Sequence, residues 1–340
     1  MTEAAFPLLG AAFIVLIVLP ACALLAKLGL VLIERRQQGG VLRGLNRRFL
    51  LVTGSSALPL AWFFSAGLHQ TEAGASALVC LLSHDDAALC FEPGFFSLLL
   101  AIGVGVGWAR AVRSAGRVDV SVSSSGRQLA ARIERLVAES PALNALVGRV
   151  VVTDDASFAI GTRGFLKARV FVGVEFARAM SDEMLVGALH HECEHVESRD
   201  PLRYLLLELA LTVNPFGRFL LEPHVARWKA AREAHCDREA VLNGAAPLAL
   251  ADAIVRAARP SPRETAALGY SDVAVLKLRV SFLLAFAERT PERCCDEGRV
   301  AIPMVALLLL VTLLLPHQAG TDALDAVHLT AEHMLAYLSR

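Results

Sequence analysis

Two histidines four positions apart, His191 and His195, flank Glu192, Cys193 and Glu194 in ALHHECEHVESRDPL (188–202). On a helix such positions share a face, so the two imidazoles could grip one ion together. Glu192, one residue past the first histidine, would project beside the ion and could take a proton from its bound water. A catalytic zinc needs a third protein ligand and an open fourth position. KAAREAHCDREAVL (229–242) supplies the candidate, with Glu233 and Asp237 at i,i+4 in a helix-forming stretch. Glu233 is the expected third ligand. Asp237, one turn on, is expected to accept a hydrogen bond from a ligand histidine and fix its tautomer. Two neutral imidazoles and one carboxylate would leave zinc a residual positive charge, which acidifies bound water. The competing reading of each stretch is a solvated polar helix, the second already carrying Arg232 and Arg238. His190 and His235 point away from the ligand faces on helical geometry and read as surface or structural residues. Nothing in the spacing gives His224 a catalytic place.

The elements that must hold these residues are legible nearby. Ser181 is an expected N-cap for a helix over SDEMLVGALHHECEHVESRD, and Asp182 and Glu183 suit the positive end of its dipole. RQLAARIERLVAE (127–139) places Leu129, Ile133, Leu136 and Val137 on one helical face after an expected linker over 117–126. RVVVTDD (149–155) and ARVFVGVEF (168–176) read as strands. LRYLLLELALTVNPFGRFLL (202–221) is strongly apolar, broken by Arg203, Glu208 and Asn214-Pro215. It fits a helix lying in the membrane interface or a buried core helix, and Glu208 argues against a full crossing.

The chain as a whole is too apolar for an ordinary soluble protein: 55% of its 340 residues are hydrophobic and its mean hydropathy is +0.52. Four runs are long enough to cross a bilayer, at about 8–32, 49–68, 94–112 and 300–316. Loop 34–48 holds Arg35, Arg36, Arg43, Arg47 and Arg48, and the third run ends in Arg110, Arg113 and Arg117, whereas loop 69–93 has no Lys or Arg. The positive-inside rule then puts 34–48 and the large 114–299 segment in the cytoplasm, with 69–93 and the tail 317–340 outside. The expected organisation is three spans in 1–113, a cytoplasmic domain over 114–299, a fourth span and a short external tail, in a bacterial-type inner membrane. In the outer loop a Cys80–Cys90 disulfide could persist, while Cys193, Cys236, Cys294 and Cys295 are expected as free thiols. Residues 322–340 read as a short amphipathic helix. Zero net charge gives no footprint for nucleic acid, and none is expected to bind directly.

HExxH followed by Arg199-Asp200-Pro201, Asn214-Pro215 and Glu-x-x-Cys-Asp at 233–237 resembles the BlaR/MecR-type membrane zinc metallopeptidases, the M-56 type. SFAIG (157–161) sits where such proteins carry the strand and loop beside the cleft, and LKLRVSFLL (276–284) is similar to their late helix. The resemblance implies a mainly α, α+β gluzincin-like cytoplasmic metalloprotease domain between the third and fourth spans. It implies Zn2+ held by His191, His195 and Glu233, with Glu192 as catalytic base and Asp237 behind the ligands. The substrate would be a cytoplasmic or membrane regulatory protein, such as a transcriptional repressor or the chain itself, bound along an edge strand. HtpX-type quality-control peptidases share HExxH and the downstream acids and are the second resemblance; a non-catalytic signalling scaffold is the competing class. Two differences from the first family stand out. Cys193 and Glu194 replace aliphatic residues, and no penicillin-binding sensor is expected, since no Lys follows Lys277 to complete Ser-x-x-Lys.

Overall fold

A computed structural model describes residues 14–36, 44–70, 102–103, 105–110, 123–155, 158–214, 216–258 and 270–288. The described chain is mostly helical with one small sheet. Helix α1 (Leu19–Arg36) follows a π-helical turn, Ile14–Val18, and α2 (Leu45–Gln70) comes next. Then follow α3 (Ser124–Glu139), a 3-10 turn (Pro141–Leu146), β1 (Val150–Thr153), β2 (Ile160–Arg163), β3 (Arg169–Gly173) and α4 (Val174–Arg178). Five more helices carry most of the polar chemistry or support it: α5 (Asp182–Glu197), α6 (Asp200–Val213), α7 (Gly217–Leu242), α8 (Pro247–Ala257) and α9 (Tyr270–Glu288).

The sheet is mixed, in the order β1-β3-β2, with β1 parallel and β2 antiparallel to β3. Strand β2 is short and not apolar-alternating; it exists because Ile160–Arg163 pairs with Val172–Arg169, and Gly164 at φ +100° lets the chain turn there. Thus β2 is an edge, and β3 is the centre. Above the sheet, α3 buries Leu129, Ile133, Leu136 and Val137, the face its periodicity anticipates. Its first turn begins at Ser124, capped by Ser123, so it consumes the end of the expected linker.

Ser181 caps α5, its side chain accepting from the Met184 N–H at 3.2 Å. Leu185 and Leu189 on α5 are fully buried in the same core. Each such side chain contributes about 1.5–3 kcal/mol, which fixes α5 while its other face looks toward β2 and α7. The helix ends at Glu197; beyond it Arg199, with a left-handed backbone (φ 54°), folds Asp200 back toward the histidines, and Asp200-Pro201 opens α6.

A second core joins α1 and α2 to α6 and α7 through Ala23, Leu30, Phe49, Leu207, Leu211 and Trp228. The helices that the sequence assigns to spans therefore share packing with the element that carries Glu233. Among the described residues one helix, Leu16–Arg35, is long and apolar enough to cross a membrane, against the four runs expected. The second run lies within α2, the third is described as helix at 102–103 and 105–110, and the fourth run lies outside the described residues. The basic loop is also shorter than expected, because α1 runs to Arg36 and α2 starts at Leu45. Cys80, Cys90, Cys294, Cys295 and the tail lie outside the described residues as well.

Candidate metal centre

The two helices that carry the motif residues meet so that three donor atoms converge. His191 Nε2 lies 3.1 Å from His195 Nε2; Glu233 Oε2 is 3.4 Å from the first and Glu233 Oε1 3.5 Å from the second. A tetrahedral ion with bonds of about 2.0–2.1 Å requires donor separations of about 3.3 Å. The observed separations, 3.1–3.5 Å with each Glu233 oxygen facing one histidine, bracket that value. His191, His195 and Glu233 thus form a group that could hold a metal ion.

Each imidazole is oriented from behind. Asp237 Oδ1 is 2.8 Å from His191 Nδ1, and Asp200 Oδ2 is 2.7 Å from His195 Nδ1. A carboxylate at Nδ1 keeps the proton on that nitrogen and aims the Nε2 lone pair at the centre. Two lone pairs facing each other at 3.1 Å repel unless a proton or cation lies between them. Burial opposes a charged His191, but Asp237 and then Glu233 outweigh it and push the group up to about 10. Burial likewise opposes the Glu233 carboxylate, while His195, His191 and Arg279 pull it well below the usual range. The centre is built to attract positive charge.

Around it Glu194, Asp200, Glu233 and Asp237 pair with the guanidiniums of Arg203, Arg232 and Arg279. Arg232, 1% exposed, bridges Glu194 and Asp200 at 2.7 Å each. It compensates the acid at 194. Burial works against the Asp200 carboxylate, yet Arg232 and His195 hold it down to about 2.

Glu192 lies on α5 beside the triangle but outside it. Thr162 on β2 donates its hydroxyl to Glu192 Oε2 at 2.7 Å, which fixes the carboxylate next to the edge strand. A cavity of about 670 Å³ opens over His191, Glu192, His195 and Glu233, with β2 along one wall and Leu250, Ala253 and Leu276 at its apolar end. Ile160, Gly161 and Thr162 also line a neighbouring cavity of about 520 Å³, so both cavities border the edge strand.

All five residues expected from the sequence, His191, Glu192, His195, Glu233 and Asp237, come together here. Four contributors were not anticipated. Thr162 positions Glu192, and Asp200 orients His195. Arg279 on α9 forks onto Asp237 at 2.7 and 2.8 Å and reaches Glu233 at 3.0 Å. Tyr204 donates to Glu233 Oε1 at 3.4 Å. His190 and His235 do stand off the triangle, but both are buried rather than on the surface. His190 lies 3.4 Å from the Ser140 hydroxyl. His235 is pushed down to about 3 by burial and by Arg232 and Arg238. His224 sits far from the chemistry, on Glu34 of α1 at 3.0 Å. Cys193 and Cys236 are buried and in no disulfide among the described residues; the Cys193 thiol donates to the Ala142 carbonyl at 3.6 Å and Cys236 Sγ lies 3.6 Å from His195 Nδ1.

Comparison with protein-family models, with curated proteins and with solved structures found no match to this chain.

Proposed function

We propose that this protein is a multi-pass membrane zinc endopeptidase with its active site in the cytoplasm, cleaving a regulatory protein. The observation that carries the reading is the donor triangle of His191, His195 and Glu233 with the Thr162-bound Glu192 beside it. The donor set, two imidazoles and one carboxylate, is one that catalytic zinc takes. Bound zinc would supply Lewis acidity and an acidified water. The chain's own groups do the rest. Glu192 accepts the proton of the attacking water and later delivers it to the leaving amine. Thr162 holds that carboxylate in place, while Asp200 and Asp237 accept from Nδ1 of the ligand imidazoles and turn Nε2 toward the metal position. The edge of β2 offers its outward backbone to an extended substrate, which adds as a further strand past Glu192.

The membrane part rests on the apolar helix Leu16–Arg35 and on the arginine asymmetry of the loops. Four spans of the M-56-like arrangement, with a gluzincin-like domain between the third and fourth, accommodate both. A repressor-type substrate and a role in signal transduction belong to the same reading.

The test is hydrolysis of a peptide library by the purified full chain, followed by mass spectrometry. Cleavage should vanish on chelation, return with added zinc and be lost in Glu192→Gln, which retains its zinc. Wild-type turnover in Glu192→Gln would refute the assignment of the base.

A further inference from the structure

Helices α6 and α7 form a hairpin whose tip, at Asn214, meets all three apolar N-terminal segments, each near its middle. Asn214 Nδ2 donates to the Leu19 carbonyl at 2.7 Å, and Leu19 is close to the midpoint of the 8–32 run. Ser56 donates to the Ala210 carbonyl at 2.9 Å, near the middle of 49–68. Gly103, at the centre of 94–112, lies against Val213; Gly107 packs so tightly on Leu209 that an added Cβ would come within 2.6 Å of its side chain. Three independent contacts therefore place the tip at one depth. We infer that α6–α7 is a re-entrant membrane hairpin that enters from the metal-centre side, turns near the bilayer midplane and exposes its tip to lipid acyl chains. The inference rests on the membrane half of the proposed function.

The polar groups of the hairpin suit that place. Irregular backbone at membrane depth persists only where its groups are satisfied. Asn214 does this at the turn, giving to Leu19 and accepting from the Phe216 N–H at 3.1 Å. The charged side chains form a neutral chain: Arg110 lies 3.8 Å from Glu208, Glu208 pairs with Arg218, and Arg218 reaches Glu222 at 3.4 Å. Two guanidiniums and two carboxylates, a quarter to a little over half exposed, pair and cancel, which is how ionised side chains at such depth are tolerated. The apolar tip itself is uncovered: Phe216 is 42% and Phe219 82% exposed.

Length supports the depth. The rise from Asn214 to Asp200 is about 21 Å at 1.5 Å per residue, and half of the hydrocarbon core is about 15 Å. Asp200 and the ligands beside it then lie about 6 Å beyond the hydrocarbon edge. Because α7 is continuous from Gly217 to Leu242, one helix carries both the lipid-facing tip and the ligand Glu233. The substrate bond is therefore cut close to the membrane surface.

Photo-cross-linking tests this in the full chain in lipid vesicles. A diazirine-bearing residue is placed at 219, at 25 on the exposed face of α1 (Leu25, 67% exposed), and at 147 (Val147, 63% exposed) by the sheet. Lipid adducts read by mass spectrometry should appear at 25 and 219 and at least tenfold less at 147. A probe at 216 gives the same reading if the 219 variant does not fold. Adducts at 25, with 219 and 216 no higher than 147, would overturn the hairpin and leave the membrane reading standing. No adducts at 25 or 219 would overturn both.

Discussion

Replacing Asp237 with asparagine is expected to weaken zinc binding about 100-fold, near 2.7 kcal/mol. Asp237 is fully buried and serves two neighbours, His191 Nδ1 at 2.8 Å and the Arg279 fork at 2.7 and 2.8 Å. An amide oxygen can still accept from His191, so orientation is weakened rather than lost. The charge is lost outright. The Arg279 guanidinium, already 3.4 Å from His191 Nε2, is then left beside the ion with only Glu233 to offset it. Loss of a partner behind a ligand histidine costs 10–100-fold in affinity, and the uncompensated cation puts this case at the upper end. If that charge is the cause, removing it should help. The double variant Asp237→Asn/Arg279→Gln is expected to bind zinc about tenfold more tightly than Asp237→Asn alone, a difference of about 1.4 kcal/mol. Zinc affinity would be read by competition with a chromophoric chelator in detergent, with circular dichroism reporting that each variant is folded. An Asp237→Asn affinity within threefold of wild type, or a double variant no tighter than the single, would refute the reasoning.

Arg232→Met leaves Asp200 and Glu194 buried without their shared cation and should destabilise the chain by about 3–5 kcal/mol, seen as a lowered Tm; adding Glu194→Gln should recover part of that loss. A Tm within 1 °C of wild type would show the bridge to be dispensable. Thr162→Val removes a hydrogen bond to a charged group worth about 1.5–3 kcal/mol, so kcat should fall about 10–100-fold with zinc content unchanged; an unchanged kcat would mean that Glu192 needs no such support. Reporter fusions at about residue 85 and after residue 340 should behave as external and one at about 260 as internal, and an external 260 fusion would exclude cytoplasmic substrates.

The face that could hold a metal ion was legible because it is local. His191 and His195 share a helix whose cap, Ser181, and whose acidic first turn are written in adjacent residues. Glu233 and Asp237 are likewise one turn apart on a single helix, and only the pairing of the two helices had to be inferred. Strands β1 and β3 were visible in their β-branched runs. Strand β2 shows no such run, because IGTR has neither apolar alternation nor length and becomes a strand only against β3; the family resemblance placed a strand and loop over 157–161, short of its end. Its Thr162 was missed with it. Asp200 had a signal, an acid just past the motif before a helix-starting proline, but its role depends on the left-handed turn at Arg199. Arg279 had none, since 88 residues separate it from His191 and only packing of α9 on α7 brings them together. The fate of 202–221 was undecidable in sequence for the same reason: its apolar surface faces α1, α2 and the 102–110 region, distant in the chain.

Zinc content is the most direct test of the centre. The protein purified from membranes without added metal and without chelators should carry about one zinc per chain by elemental analysis. The His191→Ala/Glu233→Ala variant, which removes two corners of the donor triangle, should carry close to none while remaining folded. Full zinc stoichiometry in that variant would contradict the assignment of His191, His195 and Glu233 as the site.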